Sequence, residues 1–367
     1  GQNAYGQGIN STATGQNSKA LGDYSTATGA NSEASGDYST AMGENSLASG
    51  SQSAAFGQYA QATGEDSTAI GQDSEANGRN STAIGQDAIA DGDDSTAVGE
   101  DSKATGENST AVGQNNHAEG DNSTVIGQDA WAEGENSTVT GQNAYGQGIN
   151  STATGQNSRA IGDYSTATGA LSEASGYRAT ANGQYAKATG EKSTAIGDTS
   201  HAEGYNSTVV GQGGWAEGNN STAIGHTSHA EANNSTALGQ GSKAQADGSI
   251  ALGTGSVATR EAGATGYLAN GTSPTWVSTG GAVAVGDEST GLTRQITGVA
   301  AGTYATDAVN VAQLRLVKDE VGRVGAKAAA LAGLHPLDYD PENKWSMATS
   351  VGNYGGEHAL ALGAFYR

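Results

Sequence analysis

The tripeptide His-Ala-Glu occurs three times and offers the most obvious chemistry in this sequence. The copies begin at His117, His201 and His229, and in an extended strand each imidazole lies on the same face as the carboxylate that follows. Such a pair can move protons or supply metal ligands. The same columns of the repeat elsewhere hold Lys, Trp or Tyr, and an exposed repetitive strand provides no concave site that excludes water. We therefore expect a solvated polar face and predict neither an enzyme nor a bound metal or cofactor.

A column of asparagine and aspartate recurs along the chain and could be read as a ladder of calcium ligands. The column mixes the two residue types, as in Asn3, Asn17, Asp73, Asp87, Asp101, Asn115, Asp129 and Asn143. Calcium binding depends on carboxylate charge, whereas both residue types form turns. The mixture therefore predicts turns. The Asn-Ser-Thr triplets match a glycosylation sequon, but they too are explained as a turn followed by the start of a strand.

Composition restricts the partners of the chain. Its 367 residues include 58 glycines and no cysteine, only 35% are hydrophobic, and the formal net charge is -22. The lack of cysteine excludes a disulfide framework and a thiolate metal site. The negative charge repels nucleic-acid phosphates, so we predict no nucleic-acid partner. No signal peptide appears and the sequence starts inside a repeat, so we expect a mature or trimmed chain.

The elements that must position these side chains follow from the spacing of glycine. Every seventh residue from Gly1 to Gly225 is glycine, and consecutive heptads alternate in kind, so the repeating unit has fourteen residues. Residues 1–29 recur at 141–169 with only two changes, which indicates duplication of a long block. A coiled coil also repeats every seven residues, but each glycine would cost its helix about 1 kcal/mol relative to alanine. Two short strands and two turns per unit instead predict an all-β solenoid, a parallel β-roll with 14-residue coils.

The apolar half of the repeat has one small and one large face. Ser81 and Ala83 share one side of the strand, and Thr82 and Ile84 share the other. Small residues suit the inside of a narrow roll, so the column of Ile84 must point outward. A long apolar stripe on a free surface would cause aggregation, and the sequence therefore predicts that the stripe is a subunit interface. This apolar stripe comprises Phe56, Ile70, Ile84, Val98, Val112, Ile126, Ile196, Val210, Ile224, Leu238 and Leu252.

Threonine replaces the large apolar residue in some repeats. The Thr-Ala-Thr steps at 12–14 and 152–154 resemble the flat threonine arrays of ice-binding solenoids. These threonines occupy the column of Ile84 and Ile126, which we assign to the interface. Ice binding is therefore an alternative that the sequence disfavours.

The outward column of the polar half is filled mainly by Lys, Glu and His, as in a solvated sheet. Its aromatic and aliphatic exceptions are Tyr5, Leu47, Ile89, Trp131, Tyr145 and Trp215. Exposed tryptophan is over-represented among the residues that dominate binding energy. We therefore predict a receptor site around Trp131 and Tyr145, with Trp215 as a second anchor and the loop around Trp276 as a further candidate.

The hexapeptide Asn-Ser-Thr-Ala-Ile-Gly at 80–85, with its many sister copies, resembles the recurring head motif of the YadA-like trimeric autotransporter adhesins. The resemblance covers essentially the whole chain. It implies a left-handed parallel β-roll, a homotrimer, secretion by the type V route, and anchoring in the outer membrane of a Gram-negative bacterium with the head projecting from the cell surface.

The C-terminal third adds features unrelated to the repeat. Residues 296–315 resemble the neck of this family, and a spacing of three and four residues then indicates a short coiled coil whose contacts extend the trimer interface. Those contacts are Leu314, Val317, Val321 and Val324. Residues 335–367 resemble the start of the family's membrane anchor, with a lead-in at 335–341 and two strand-like runs at 344–354 and 358–367. Anchors of this family contribute four strands per subunit to a twelve-stranded β-barrel, so we expect a partial β-barrel anchor.

These observations predict five segments along the chain. They are a β-roll head at 1–255, a head cap with an inserted loop at 256–295, a neck at 296–313, a coiled-coil stalk at 314–334 and the start of the anchor at 335–367. The resemblance implies a virulence-associated adhesin whose head binds a host cell-surface receptor, such as a carcinoembryonic-antigen-related adhesion molecule, or an extracellular matrix protein. The alternative is a passive spacer or self-association element.

Overall fold

The computed structural model describes residues 1–335, 338 and 341–366. Part of the predicted lead-in to the anchor, and the last residue of its second strand, lie outside the described residues. The chain divides into two compact units, Gly1–Thr293 and Arg294–Arg367. In the described part of the chain, no helix is long and apolar enough to cross a membrane.

The first unit is a parallel β-solenoid of about 18 coils, as the fourteen-residue repeat predicts. One of its two sheets, the apolar sheet, is formed by the apolar halves of the repeats. Its strands are Thr12–Thr14, Thr26–Thr28, Thr40–Met42, Ala54–Phe56, Thr68–Ile70, Thr82–Ile84, Thr96–Val98, Thr110–Gln114, Thr124–Gln128, Thr138–Gln142, Thr152–Thr154, Thr166–Thr168, Thr180–Asn182, Thr194–Ile196, Thr208–Val210, Thr222–Ile224, Thr236–Leu238, Ile250–Leu252 and Val283–Ala284.

The opposite sheet, the polar sheet, contains two-residue strands from the polar halves. These strands are Tyr5–Gly6, Lys19–Ala20, Glu33–Ala34, Leu47–Ala48, Gln61–Ala62, Glu75–Ala76, Ile89–Ala90, Lys103–Ala104, His117–Ala118, Trp131–Ala132, Tyr145–Gly146, Arg159–Ala160, Glu173–Ala174, Lys187–Ala188, His201–Ala202, Trp215–Ala216, His229–Ala230, Lys243–Ala244 and Val257–Ala258. Successive strands of both sheets pair in parallel at an offset of fourteen residues, as Ala83 does with Ala97, except for the last strand of the apolar sheet, Val283–Ala284.

The core is a thin layer of small side chains between the sheets. Ser81, Ala83 and Ala90 are fully buried, whereas Ile84 points outward, as the alternation of the strand predicts. The close stacking of the coils explains the glycine spacing, because a Cβ atom at Gly78 would collide with the carbonyl oxygen of Gly92 in the next coil. Most of this interior is filled by alanine and serine side chains.

The turns use the asparagine and aspartate column as the sequence predicts. Asn80 and Asp87 adopt the left-handed conformation, with φ of 55° and 54°. Their side chains also join successive coils, since Asn80 Nδ2 donates to Asp94 Oδ1 at 3.0 Å and Asn115 Nδ2 donates to Asp129 Oδ1 at 2.8 Å. The ladder is therefore built from direct side-chain hydrogen bonds between turns.

The solenoid ends in an irregular segment. Val257–Ala258 is the last strand of the polar sheet, and Val283–Ala284 pairs with Ile250–Leu252 as the last strand of the apolar sheet. The loop between them contains Trp276, whose carbonyl oxygen accepts a hydrogen bond from Gly266 N at 2.7 Å. Two strands of the solenoid thus lie within the segment predicted to be the cap and inserted loop.

The second unit contains one helix and one hairpin. The helix, Val311–Ala332, begins with a capping box in which the Asn310 side chain accepts from Gln313 N at 3.0 Å. The strands Trp345–Tyr354 and Glu357–Tyr366 pair in an antiparallel hairpin. The helix packs on this hairpin with small residues, because Gly322, Ala326 and Ala330 are its buried positions.

The residues predicted to form a coiled-coil seam lie on a different face of that helix. Leu314, Val317, Val321 and Val324 are between 56% and 63% exposed. The face that the sequence marks as apolar is therefore open in the single chain, whereas the small-residue face is covered.

Candidate functional site

The outward column of the polar sheet carries an aromatic ladder. His117 and Trp131 are one coil apart, and their rings stack with centroids separated by 4.3 Å and planes 19° apart. Tyr145 follows in the next coil, and its hydroxyl donates to Glu133 Oε2 at 2.7 Å. Trp131 keeps 38% of its surface exposed although the His117 ring covers one of its faces. The structure thus brings the two principal receptor-site candidates together in adjacent coils.

The local environment shifts the pKa values of two groups in this ladder. Partial burial lowers the pKa of His117, and the neighbouring Lys103 ammonium adds to this effect while Glu119 opposes it. Burial raises the pKa of Tyr145 to about 12, and its hydrogen bond to the negative Glu133 carboxylate contributes to the same shift. At neutral pH, Tyr145 therefore remains a hydrogen-bond donor.

A second ladder surrounds Trp215, six coils along the same column. Its ring stacks on His201 with centroids 4.3 Å apart and meets His229 edge to face at 6.3 Å. The preceding residues, Gly213 and Gly214, have no side chains that could cover the indole. Trp215 is nevertheless half-buried, because histidines lie on both sides of it.

The other receptor-site candidates are dispersed. Tyr5 is exposed and pairs with Lys19 at the start of the solenoid, while Leu47 and Ile89 are half-buried members of the same column in separate coils. Trp276 lies in the loop that precedes the last strand. The structure does not bring these four residues together with Trp131.

The His-Ala-Glu copies do not form a compact reactive group. His117 Nδ1 lies 3.8 Å from Glu119 Oε1, and His201 Nδ1 lies 3.0 Å from the carbonyl oxygen of Thr199. Within the described residues, no cluster of three or more His, Asp or Glu side chains could hold a metal ion. Instead, His117 and His201 stack on tryptophans, and His229 meets Trp215 edge to face.

The apolar stripe lies on the outward face of the apolar sheet. Its more exposed members, such as Ile84 at 38% and Ile126 at 48%, project from successive strands. The column is polar over four consecutive coils, where it contains Thr140, Thr154, Thr168 and Asn182. The apolar surface is therefore divided into two segments.

The sequence analysis did not single out tyrosines at the turns. Tyr164 is exposed in the left-handed turn conformation, and Tyr177 and Tyr205 are exposed one position earlier in equivalent turns. The available signal was the appearance of tyrosine in columns that mostly hold asparagine, aspartate or glutamate. These residues form a second group of exposed aromatic rings.

A long repetitive surface with exposed aromatic rings is typical of proteins that bind other macromolecules. The family model described as the YadA head domain repeat matches residues 7–32, 34–60, 62–88, 90–116, 118–144, 147–172, 174–198, 188–213, 216–242, 230–256 and 244–261. The model described as the coiled stalk of trimeric autotransporter adhesin matches residues 295–330. The chain therefore belongs to the YadA-like trimeric autotransporter adhesins.

Individual relatives match over short stretches. The autotransporter adhesin BadA of Bartonella henselae is 48% identical over 75 residues, which are 19% of this chain and 2% of the relative. The trimeric autotransporter adhesin AtaA of Acinetobacter sp. (strain Tol 5) is 68% identical over 41 residues, which are 11% of this chain and 1% of the relative. The match thus spans a very small part of each relative's length.

One solved structure is the collagen-binding domain of the Yersinia adhesin YadA. It is 26% identical, and the alignment covers 63% of this chain and 86% of that one, with a TM-score of 0.25.

Proposed function

We propose that this chain is a bacterial surface adhesin whose polar sheet docks a host cell-surface receptor or an extracellular matrix protein. A carcinoembryonic-antigen-related adhesion molecule would represent the first class, and collagen the second. The contact centres on Trp131 and Tyr145, with Trp215 as a second anchor about 29 Å away at about 4.8 Å per coil. This separation suits a domain-sized or fibrous partner rather than a small ligand. The chain acts by binding and not by catalysis.

The exposure of Trp131 carries this proposal. Its indole cannot enter the core, because its column faces outward and the core accepts residues of alanine size. His117 holds one ring face and Glu133 holds the Tyr145 hydroxyl, so both aromatic groups are fixed before a partner arrives. Preorganised aromatic side chains lose little conformational entropy on binding, which favours them as anchors.

The assembly that presents this surface is part of the proposal. The apolar stripe would pack three copies of the solenoid against one another, and Leu314, Val317, Val321 and Val324 would continue the contact along the helix. Both sets are apolar and open in the single chain. The segment after the helix would begin the anchor that holds the trimer in the outer membrane, so that the head projects from the cell surface.

A binding measurement tests the proposed site. The trimer is immobilised and exposed separately to collagen, to other matrix proteins and to a carcinoembryonic-antigen-related adhesion molecule. The double variant Trp131→Ser with Tyr145→Ser should weaken binding of the responsive ligand by at least about 2 kcal/mol, the scale typical of dominant interface residues. Its melting should be unchanged because neither side chain enters the core.

Tyr5→Ser provides a matched control. Tyr5 corresponds to Tyr145 in the duplicated block, but it lies in a coil far from Trp131. This variant should bind as the wild type does. Full binding by the folded double variant would move the site to the loop around Trp276, and failure of the wild type with all three ligand classes would support the passive spacer.

A further inference from the structure

The turns that precede the apolar strands form one long edge of the solenoid, and part of this edge is basic and aromatic. Over four consecutive coils it presents Tyr164, Tyr177, Arg178, Lys192 and Tyr205. The three tyrosines are 51%, 39% and 43% exposed. In a chain with a net charge of -22, these two cations balance the two flanking carboxylates, Asp163 and Glu191, so the edge is locally neutral and rich in tyrosine. We call these five residues the tyrosine–arginine edge.

The five side chains form two groups in contact, one of Tyr164, Tyr177 and Arg178 and one of Lys192 and Tyr205. The rings of Tyr164 and Tyr177 meet edge to face at 5.8 Å, and the Arg178 guanidinium carbon lies 5.6 Å and 5.2 Å from their centroids. Lys192 Nζ lies 5.0 Å from the Tyr205 ring centroid and donates to the Tyr205 hydroxyl at 3.0 Å. Cation–π contacts thus hold both cations against aromatic rings at the surface.

The two cations differ in their ionic partners. Lys192 Nζ is 3.3 Å from a Glu191 oxygen. Arg178 forms no ion pair with a carboxylate anywhere in the described ranges, so its planar set of donors is available to an anionic ligand. The hydrogen bond with Tyr205 raises the pKa of Lys192, which therefore remains charged at neutral pH.

Coils nearer the N-terminus supply a comparison within the same chain. In the fourteen-residue register, the positions 140 residues before the tyrosine–arginine edge hold Tyr24, Asp37, Tyr38, Gln52 and Glu65, which we call the N-terminal edge. Only Tyr24 and Tyr164 lie within the nearly identical segments 1–29 and 141–169, so the other four pairs share the register and not the duplicated sequence. Two positions that hold carboxylates in the N-terminal edge hold tyrosines in the tyrosine–arginine edge, and two uncharged positions hold cations.

The tyrosine–arginine edge also lacks a favourable contact that the N-terminal edge makes. There, Asp37 Oδ1 accepts a hydrogen bond from Asp23 N at 2.9 Å, and this bond joins two coils. Tyr177 occupies the equivalent position and has no carboxylate to offer. Arg178 and Lys192 adopt φ of 56° and 58°, a region that favours glycine and asparagine. Departures from local preference of this kind concentrate at functional sites.

We propose that the tyrosine–arginine edge binds a sugar residue that carries a carboxylate, such as the acidic end of a glycan. The guanidinium of Arg178 matches a carboxylate in a two-pronged hydrogen bond, with the Lys192 ammonium one coil away. Tyrosine rings pack against the C–H face of a sugar, and their hydroxyls bond to its hydroxyl groups. The flanking Asp163 and Glu191 repel a long acidic peptide, so a compact ligand with one negative charge fits best.

The proposed site differs from the surfaces described above. The residues of the edge lie in the turns just before the first residue of each apolar strand, whereas the apolar stripe is formed by the third residue of each strand. Packing of three chains through the stripe would therefore leave the edge open. The polar sheet lies across the roll from the apolar strands. Carboxylate binding therefore does not depend on receptor docking at Trp131.

Ligand-detected NMR titration of the full-length trimer with sialyllactose tests the proposal, with lactose as the uncharged comparison. Sialyllactose should bind at least about tenfold more tightly than lactose, since only it offers a carboxylate to Arg178. The variant Arg178→Tyr with Lys192→Gln should remove this preference. Its replacement residues are those at the same register positions of the N-terminal edge, where Tyr38 and Gln52 adopt the same turn with φ of 60° and 59°, so folding should be retained.

Two controls make the result specific. The variant Tyr38→Asn with Gln52→Asn, in the N-terminal edge, should bind sialyllactose as the wild type does, and Trp131→Ser should also leave this binding intact. Equal affinity for lactose and sialyllactose would overturn the proposal, as would full binding by the Arg178 and Lys192 variant. Preferential binding of a hexaglutamate peptide over sialyllactose would overturn it in favour of an acidic protein partner.

Discussion

The two sheets of the solenoid share one backbone plan and differ in what they present. Both pair in parallel at an offset of fourteen residues, and both direct small side chains into the same interior. Outward, the apolar sheet carries Ile84 and its equivalents, whereas the polar sheet carries charged residues interrupted by Trp131 and Trp215. The comparison shows that the two sheets share one interior of small side chains, while their outward columns differ in chemistry.

Two of the larger interior residues stand against a glycine. Val139 occupies a position that is alanine in most coils, and Gly146 stands opposite it where most coils have alanine. A Cβ at Gly146 would lie 2.6 Å from Val139 Cγ2, and one at Gly214 would lie 2.8 Å from Val209 Cγ1. In these two coils the missing side chain of the glycine makes room for the valine.

The largest expected effect concerns the outward face of the apolar sheet. The triple variant Ile84→Asp, Val98→Asp and Val112→Asp should abolish the trimer, because three carboxylates in adjacent coils would be buried without partners. Light scattering should then report the mass of a single chain, 36.3 kDa. An unchanged mass together with unchanged melting would show that this face is not the interface.

The polar sheet offers a matched control in the same coils. Ile89→Asp, Lys103→Asp and His117→Asp introduce as many carboxylates on the opposite side of the same three coils. This variant should keep the trimer mass, since its side chains point to solvent. Loss of the trimer in both variants would mean that added negative charge, and not the position of the stripe, causes dissociation.

A smaller effect is expected in the interior that the sheets share. Gly146→Ala should destabilise its coil by about 1–3 kcal/mol, the usual range for overpacking, because the added methyl meets Val139. Adding Val139→Ala should restore most of this loss and recreate the alanine pair of other coils. Hydrogen exchange of the strands Thr138–Gln142 and Tyr145–Gly146 measures both changes locally, as suits a repeat protein that opens in segments.

If the double variant were no better protected than Gly146→Ala alone, the two residues would not be coupled across the interior. The loss of stability caused by the extra methyl group would then have to arise within the strand Tyr145–Gly146 itself. The single variant Val139→Ala completes the cycle and reports the cost of the cavity that it leaves.

The smallest expected effect is the titration of His117, a residue of the polar sheet, as the pH falls. His117 should titrate below its ordinary pKa of 6.5, and Lys103→Gln should move that pKa upward, although burial is the larger cause of the shift. Because the folded pKa is lowered, the unfolded chain binds the proton first as the pH falls below 6.5, and acid weakens the fold at this site. NMR titration of the His117 ring measures the pKa, and a value above 6.5 would contradict the stacked, partly buried geometry.

Much of this fold follows directly from the sequence, because each coil repeats the same constraints. The glycine spacing, the turn-forming column and the alternation of Ala83 with Ile84 are enough to predict the solenoid, its fourteen-residue register and its alanine core. These are local rules, since they depend on φ, on steric contact between neighbouring coils and on strand alternation. Repetition makes these rules easy to recognise, because nearly every coil follows the same pattern.

The tertiary structure alone decided which side chains meet across coils and elements. Periodicity places His117 and Trp131 in one column, but only coil stacking brings their rings to 4.3 Å and leaves the Trp131 edge exposed. The grouping of Arg178 with its tyrosines has the same origin. In the second unit the helix presents its small-residue face to the hairpin, because Gly322 and Ala326 allow close approach, and it leaves the heptad face open. Such contacts depend on side-chain size and direction after the chain has closed on itself, and a single-chain pattern does not contain that information.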